Sequence, residues 1–200
     1  MVIGSSSISR GYSPITVWNN YSITSYNLGT LNQRMSFAYY LIKESIKTQT
    51  PKAIVLDMES TFLDGDAPEG EYRKLFDNMK FGNVKLEAIG DKRLHIEKED
   101  KLSYIFPTLR FHSRWNKLEK EDFEFNLNEE YKQLSYKGMA MIAETKPYID
   151  NEKYMEDKSD NSKISDNSLY YINKIRNLCK KKNIQLLFIQ MPGAKRIAKP

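Results

Sequence analysis

The chain has 200 residues, the size of one domain or one domain carrying a large insertion, and its 31 basic and 26 acidic side chains leave a net charge of +5. A hydrophobic fraction of 40%, with 12% aromatic residues, is enough apolar material for a core and excludes a wholly disordered chain. The single Cys179 excludes an intramolecular disulfide, and one cysteine with two histidines argues against a structural metal site; no cofactor is expected either.

Acidic residues are mixed through the same segments as the basic ones, and no basic stripe interleaved with aromatics points to nucleic acid. No apolar run reaches the roughly 18–20 residues of a membrane helix, and no signal peptide opens the chain. Met1 to Ser7 reads as the end of a strand running straight into a turn, and Ile184 to Met191 as a buried strand close to the last residue. A domain rarely starts inside its central strand, so the expectation is a piece of a longer protein.

Val2-Ile3 is the first strand end, followed by the small-residue turn Gly4 to Ser7 and a helical stretch, Ile15 to Tyr21. Ser22 to Leu28 reads as a short strand ending at Gly29. Met35, Tyr39, Ile42 and Ile46 have the spacing of an amphipathic helix over 34–48, before Pro51. Ala53-Ile54-Val55-Leu56 is a continuous apolar run, as in a parallel strand covered on both faces. In the last third, Asn167 to Lys182 predicts a helix with Leu169, Ile172, Ile175 and Leu178-Cys179 on one face. Lys180 to Lys182 suit its C-terminal dipole, and Asn183 is a fitting stop. Strands separated by helices predict right-handed crossovers and one parallel sheet. Residues 60–166 break the rhythm and read as an insertion or lid within a single domain over 1–200, with an exposed loop over Asp150 to Asp166.

Three places can carry chemistry. Gly4-Ser5-Ser6-Ser7 follows a buried strand, so a hydroxyl there sits at the carboxyl edge of the sheet, where open α/β proteins place their ligands. Backbone N–H groups of such a turn favour developing negative charge and suit a serine nucleophile. A helix cap uses the same residue type. Gly29 ends a neighbouring strand, where its N–H fits the same spot or simply makes a turn. Asp57 and Glu59, after the Ala53 strand, face that edge too; they fit substrate orientation or capping of the next turn.

The order and setting of these sites resemble the SGNH/GDSL hydrolases, whose first block is a Gly-x-Ser turn after the first strand. Gly4-Ser5-Ser6 matches that block. The further segments Tyr12-Ser13-Pro14, Trp18, Ile23 to Gly29, Pro51 to Asp57, Phe111 to Trp115 and Tyr136-Lys137-Gly138 look like a bacterial subgroup related to proteins that move acyl groups on cell-envelope polymers. The resemblance implies a three-layer α/β sandwich with a flavodoxin-like parallel sheet, incomplete on its C-terminal side. It implies Ser6 as nucleophile, with the N–H groups of Ser6 and Gly29 as the oxyanion hole. The substrate class it implies is an acylated carbohydrate or envelope polymer, and the parent protein extracytoplasmic or membrane-anchored.

Two features depart from the pattern. Glu59 stands nearest the third-block Asn, and an ionised carboxylate cannot donate. The Asp-x-x-His pair is not matched: Asp91 to His95 has the wrong spacing and order, so the base is expected beyond Pro200. His112 in Arg110-Phe111-His112-Ser113-Arg114-Trp115 is the substitute base, or a structural histidine. Arg110 and Arg114 suit bidentate binding of an anionic group or solvation at the surface. A catalytically inactive module binding a glycan, and a phosphate site at the Gly4–Ser7 turn, are the competing readings; the turn lacks a phosphate-loop signature.

Overall fold

A computed structural model of the chain describes residues 1–110, 116–120, 135–141 and 163–192. Strands β1 (Val2–Ile3), β2 (Ala53–Asp57) and β3 (Gln185–Ile189) form a parallel sheet in the order β1-β2-β3. Val2 lies opposite Val55, which in turn lies opposite Leu187. The chain is therefore an α/β protein, as expected.

Helix α1 spans Ser6–Gly11, so it begins inside the predicted small-residue turn. Helix α2 (Pro14–Tyr21) starts with Pro14 at its first position, the Ser13 hydroxyl accepting from the Thr16 N–H at 3.2 Å, and stops at the left-handed Ser22. Residues 22–28 do not form the expected strand. Only Asn27 bridges to Val2, with Val2 N–H donating to Tyr26 O and Leu28 N–H to Val2 O. On its other side Asn27 N–H donates to Lys137 O at 2.9 Å, in place of a neighbouring strand.

Helices α3 (Met35–Ser45) and α8 (Asp166–Lys181) lie against one face of the sheet. Ile3, Ile54 and Leu56 join their buried side chains in one core, while Val2 is buried outside it, as alternation along a strand requires; Ile8 of α1 is also buried outside that core. Between them, α4 (Glu69–Phe76), α5 (Asn83–Gly90), α6 (Lys98–Ile105) and the short α7 (Pro107–Arg110) follow in turn. Tyr72, Leu75, Phe76, Val84, Ala88, Ile89 and Tyr104 enter the same core. Residues 69–105, read from sequence as part of an insertion, thus help to bury the sheet.

Two details of the last unit differ from expectation. The buried positions of α8 are Ser168, Tyr171, Ile175 and Cys179, and Leu169 is 42% exposed, so the helix turns its Tyr171 face inward. Tyr171 and Tyr40 of α3 both donate to the Asp91 carboxylate, at 2.7 and 2.6 Å, which fixes that rotation. Strand β3 is not buried: Leu187 is 51% and Phe188 42% exposed, because β3 is the edge of the sheet among the described residues. Asn183 does end α8 in the left-handed region, at φ 55°. Among the described residues no helix is long and apolar enough to cross a membrane.

Candidate functional site

The carboxyl ends of β1 and β2 meet at the Gly4–Ser7 turn. Parallel pairing of β1 with β2 sets Ile3 beside Leu56, so Gly4, just past the end of β1, comes beside Asp57, the last residue of β2, which still pairs with Ile189 of β3. A Cβ on Gly4 would lie 2.2 Å from the Asp57 Cβ and 2.6 Å from Ile8 Cγ1, so only glycine lets the two strand ends approach this closely.

Into that space Asp57 turns a fully buried carboxylate. Its Oδ2 accepts from Ser5 N–H at 3.1 Å, from Ser5 Oγ at 2.7 Å and from Ser7 Oγ at 3.0 Å. Its Oδ1 accepts from Glu59 N–H at 3.2 Å. Ser5 caps α1, accepting from Ser7 N–H at 3.4 Å, and its hydroxyl also reaches Ser7 Oγ at 2.8 Å and Glu59 Oε2 at 2.7 Å. One hydroxyl proton serves one carboxylate at a time, so Asp57 and Glu59 share the Ser5 donor. Glu59 is exposed, in a 3₁₀ turn over Glu59–Thr61.

The three serines are therefore not equivalent. Ser5 is 2% exposed and bonded on all sides, which leaves it no path to a substrate. The half-buried Ser7 hydroxyl is committed to Asp57 and Ser5. Ser6, also half-buried, is the first residue of α1, and its hydroxyl bonds to no other described residue. It is the one hydroxyl of the turn with no hydrogen bond to a described residue.

Gly29 lies against the same helix: a Cβ there would be 2.7 Å from Ser9 N. Thr30 N–H donates to Gly4 O at 3.0 Å, which ties this segment to the turn. The Gly29 N–H itself donates to Asn27 Oδ1 at 2.8 Å, so it meets an oxyanion only by exchanging that bond. Asn27 is the residue the sequence reading missed. It is 2% exposed, and its Nδ2 donates to Ile8 O of α1 at 2.8 Å and to the O of Tyr12, the C-cap of that helix, at 2.9 Å. The signal was the Asn-x-Gly spacing, which favours a side chain bonding to the N–H two residues on.

The remaining candidates are separated from this turn or lie outside the described residues. His112 and Arg114 belong to the second group, and Arg110 is described only as the last residue of α7. The other histidine, His95, is at Asp66, with Nδ1 2.9 Å from Oδ1, beside a cavity of about 150 Å³ lined by Glu69, Tyr72, Glu97 and Tyr104 among others. Among the described residues no group of three or more His, Cys, Asp and Glu is arranged to hold a metal ion. No protein-family model, curated protein or solved structure matches this chain.

Proposed function

We propose that the chain is an SGNH-like domain, a three-layer sandwich built on a flavodoxin-like sheet with an insertion after β2, and that it carries the nucleophile of a serine esterase or acyltransferase. The observation that carries the reading is the convergence at one sheet edge of the Gly4–Ser7 turn, the Gly29 segment and the Asp57 carboxylate, with Ser6 as its free hydroxyl.

In the proposed reaction, Ser6 Oγ attacks the carbonyl carbon of an ester on a carbohydrate or envelope polymer. The proton of Ser6 passes to a histidine from outside the described residues. The N–H of Ser6, and that of Gly29 once released by Asn27, hold the oxyanion. Collapse of the tetrahedral species breaks the bond to the alcohol, which leaves with the proton. Water or a second alcohol then takes the acyl group from Ser6. Helix α1 has six residues, so the specific N–H donors, more than a helix dipole, supply the stabilisation.

The test is labelling by a fluorophosphonate of the longer protein expected to supply the histidine, with the adduct located by mass spectrometry. The adduct is expected on Ser6 and absent from Ser6→Ala; equal labelling of the two proteins overturns the assignment.

A second reading rests on a specific observation. Two carboxylates contact the turn, and the Gly29 N–H is already bonded, which disfavours a developing oxyanion and suits a module that binds carbohydrate hydroxyls without turning them over. Retention of oligosaccharide binding in Ser6→Ala, with no labelling of the parent sequence, is the outcome it predicts.

A further inference from the structure

We infer that Asp57 is a positioning residue for Ser6, acting through Ser5 and Ser7 from its seat over Gly4. The reactivity part of this inference rests on the esterase reading, whereas its geometric part stands without it.

The argument begins with how the turn is held. Residues 5, 6 and 7 leave a two-residue strand, and β1 is too short to dictate their direction through its own ladder. The Asp57 carboxylate supplies what the ladder lacks. It takes the Ser5 N–H and both flanking hydroxyls on a single oxygen, Oδ2. Its other oxygen takes the Glu59 N–H, which fixes the plane of the carboxylate. When the Ser5 proton turns to Glu59, Oδ2 still holds the Ser5 N–H and the Ser7 hydroxyl. The clamp keeps at least two bonds to the turn in either arrangement.

Ser6 is bracketed by these contacts without sharing them. Its neighbours on both sides are tied to one buried atom, and its own hydroxyl stays free. Charge-assisted hydrogen bonds of this kind are the short, strong ones. Gly4 is the matching half of the device. The 2.2 Å approach of any Cβ at position 4 to the Asp57 Cβ means that an added methyl displaces the side chain that does the clamping. The pair also explains why a fully buried carboxylate is kept here: each of its oxygens is satisfied by the backbone or hydroxyls it orients.

The experiment has two formats, the first on the longer protein expected to supply the histidine and the second on the full chain itself. In the first, the second-order rate of fluorophosphonate labelling at Ser6 is compared between the parent sequence and Asp57→Asn, which keeps the shape and removes the charge. The expected fall is about 10- to 100-fold, the size associated with misplacing a reacting group by about 1 Å. In the second, Ser6→Cys is alkylated with iodoacetamide across a range of pH, alone and combined with Asp57→Asn; the buried Cys179 is followed separately by mass spectrometry. The expected result is a change of about 10-fold or more in the rate plateau of Cys at position 6, with the far-UV spectrum unchanged. A plateau equal within about twofold overturns the inference. Absence of labelling in the first format sinks the esterase reading alone, because the thiol readout does not depend on catalysis. Gly4→Ala is the second variant. It is expected to reproduce the effect of Asp57→Asn on the thiol, and a folded Gly4→Ala with the parent's thiol rate also counts against the clamp.

Discussion

Replacing Asp91 by alanine probes the joint between the two helices that cover the sheet. Its carboxylate accepts from Tyr40 at 2.6 Å, from Tyr171 at 2.7 Å and from the Arg93 N–H at 3.0 Å, linking α3, the end of α5 and α8. Tyr40 is 1% and Tyr171 0% exposed, so water does not replace the lost acceptor for either phenol. At about 1–3 kcal/mol for each buried donor left unpaired, Asp91→Ala costs about 2–6 kcal/mol; the Arg93 N–H, in an exposed turn, adds little. In the Tyr40→Phe/Tyr171→Phe background the same change leaves no stranded donor and costs less than about 1 kcal/mol. Urea unfolding at neutral pH measures both differences. A cost equal in the two backgrounds to within about 0.5 kcal/mol would refute the reasoning.

The pH dependence follows with its sign. Burial pushes the Asp91 carboxyl up, but the hydrogen bonds from Tyr40 and Tyr171 outweigh it and hold the group below the usual carboxylate value. Its contribution is present above the unfolded carboxyl range near pH 4 and is lost as pH falls through the lower folded value. Burial, then the Asp91 hydrogen bond, raise both phenols well above the ordinary tyrosine value. Their contribution is complete below about pH 10 and is lost as pH rises beyond it. The penalty of Asp91→Ala is therefore expected to be largest between these limits.

Three further outcomes are expected. Asn27→Ala removes the donations to Ile8 O and Tyr12 O and the acceptor for Gly29 N–H, about 1 kcal/mol each or about 3 kcal/mol in urea unfolding; Asn27→Asp, which puts a carboxylate against two carbonyls, is expected to cost more than alanine. Glu71 bridges Arg34 and Asn32, with the Arg34 and Glu71 side chains 13% and 10% exposed, so Glu71→Ala leaves a nearly buried guanidinium and costs about 3–5 kcal/mol; a loss below about 1 kcal/mol contradicts this. Glu59→Gln replaces an acceptor competing for the single Ser5 proton by a group able to donate, so thermal unfolding is expected to show no loss, and a loss above about 1 kcal/mol speaks against proton sharing.

What the sequence disclosed was governed by local chemistry. The apolar run at Ala53 became β2, and Asn183 stopped α8, because a parallel strand and a left-handed cap are written in the residues themselves. The Gly4–Ser7 turn was legible for the same reason, although the start of α1 at Ser6 was not: Ser5 caps the helix at once, with Asp57 beneath it. Long-range facts were hidden. The rotation of α8 depends on Asp91, which is 80 positions from Tyr171 in the chain. The bond from Asn27 N–H to Lys137 O joins residues far apart in the chain, and the exposure of Leu187 goes with the place of β3 in the sheet.

That last placement has a practical side. From Ile184 to Pro192 no residue carries a charge, and the outer edge of β3 has no strand beside it among the described residues. Open edges of this kind are normally blunted by lysine, proline or a bulge, so copies of the chain meeting here encounter no electrostatic barrier. Added salt has nothing to screen at that seam. A Leu187→Lys substitution on the exposed side chain would put a charge on that edge, and it is expected to lower any concentration-dependent light scattering.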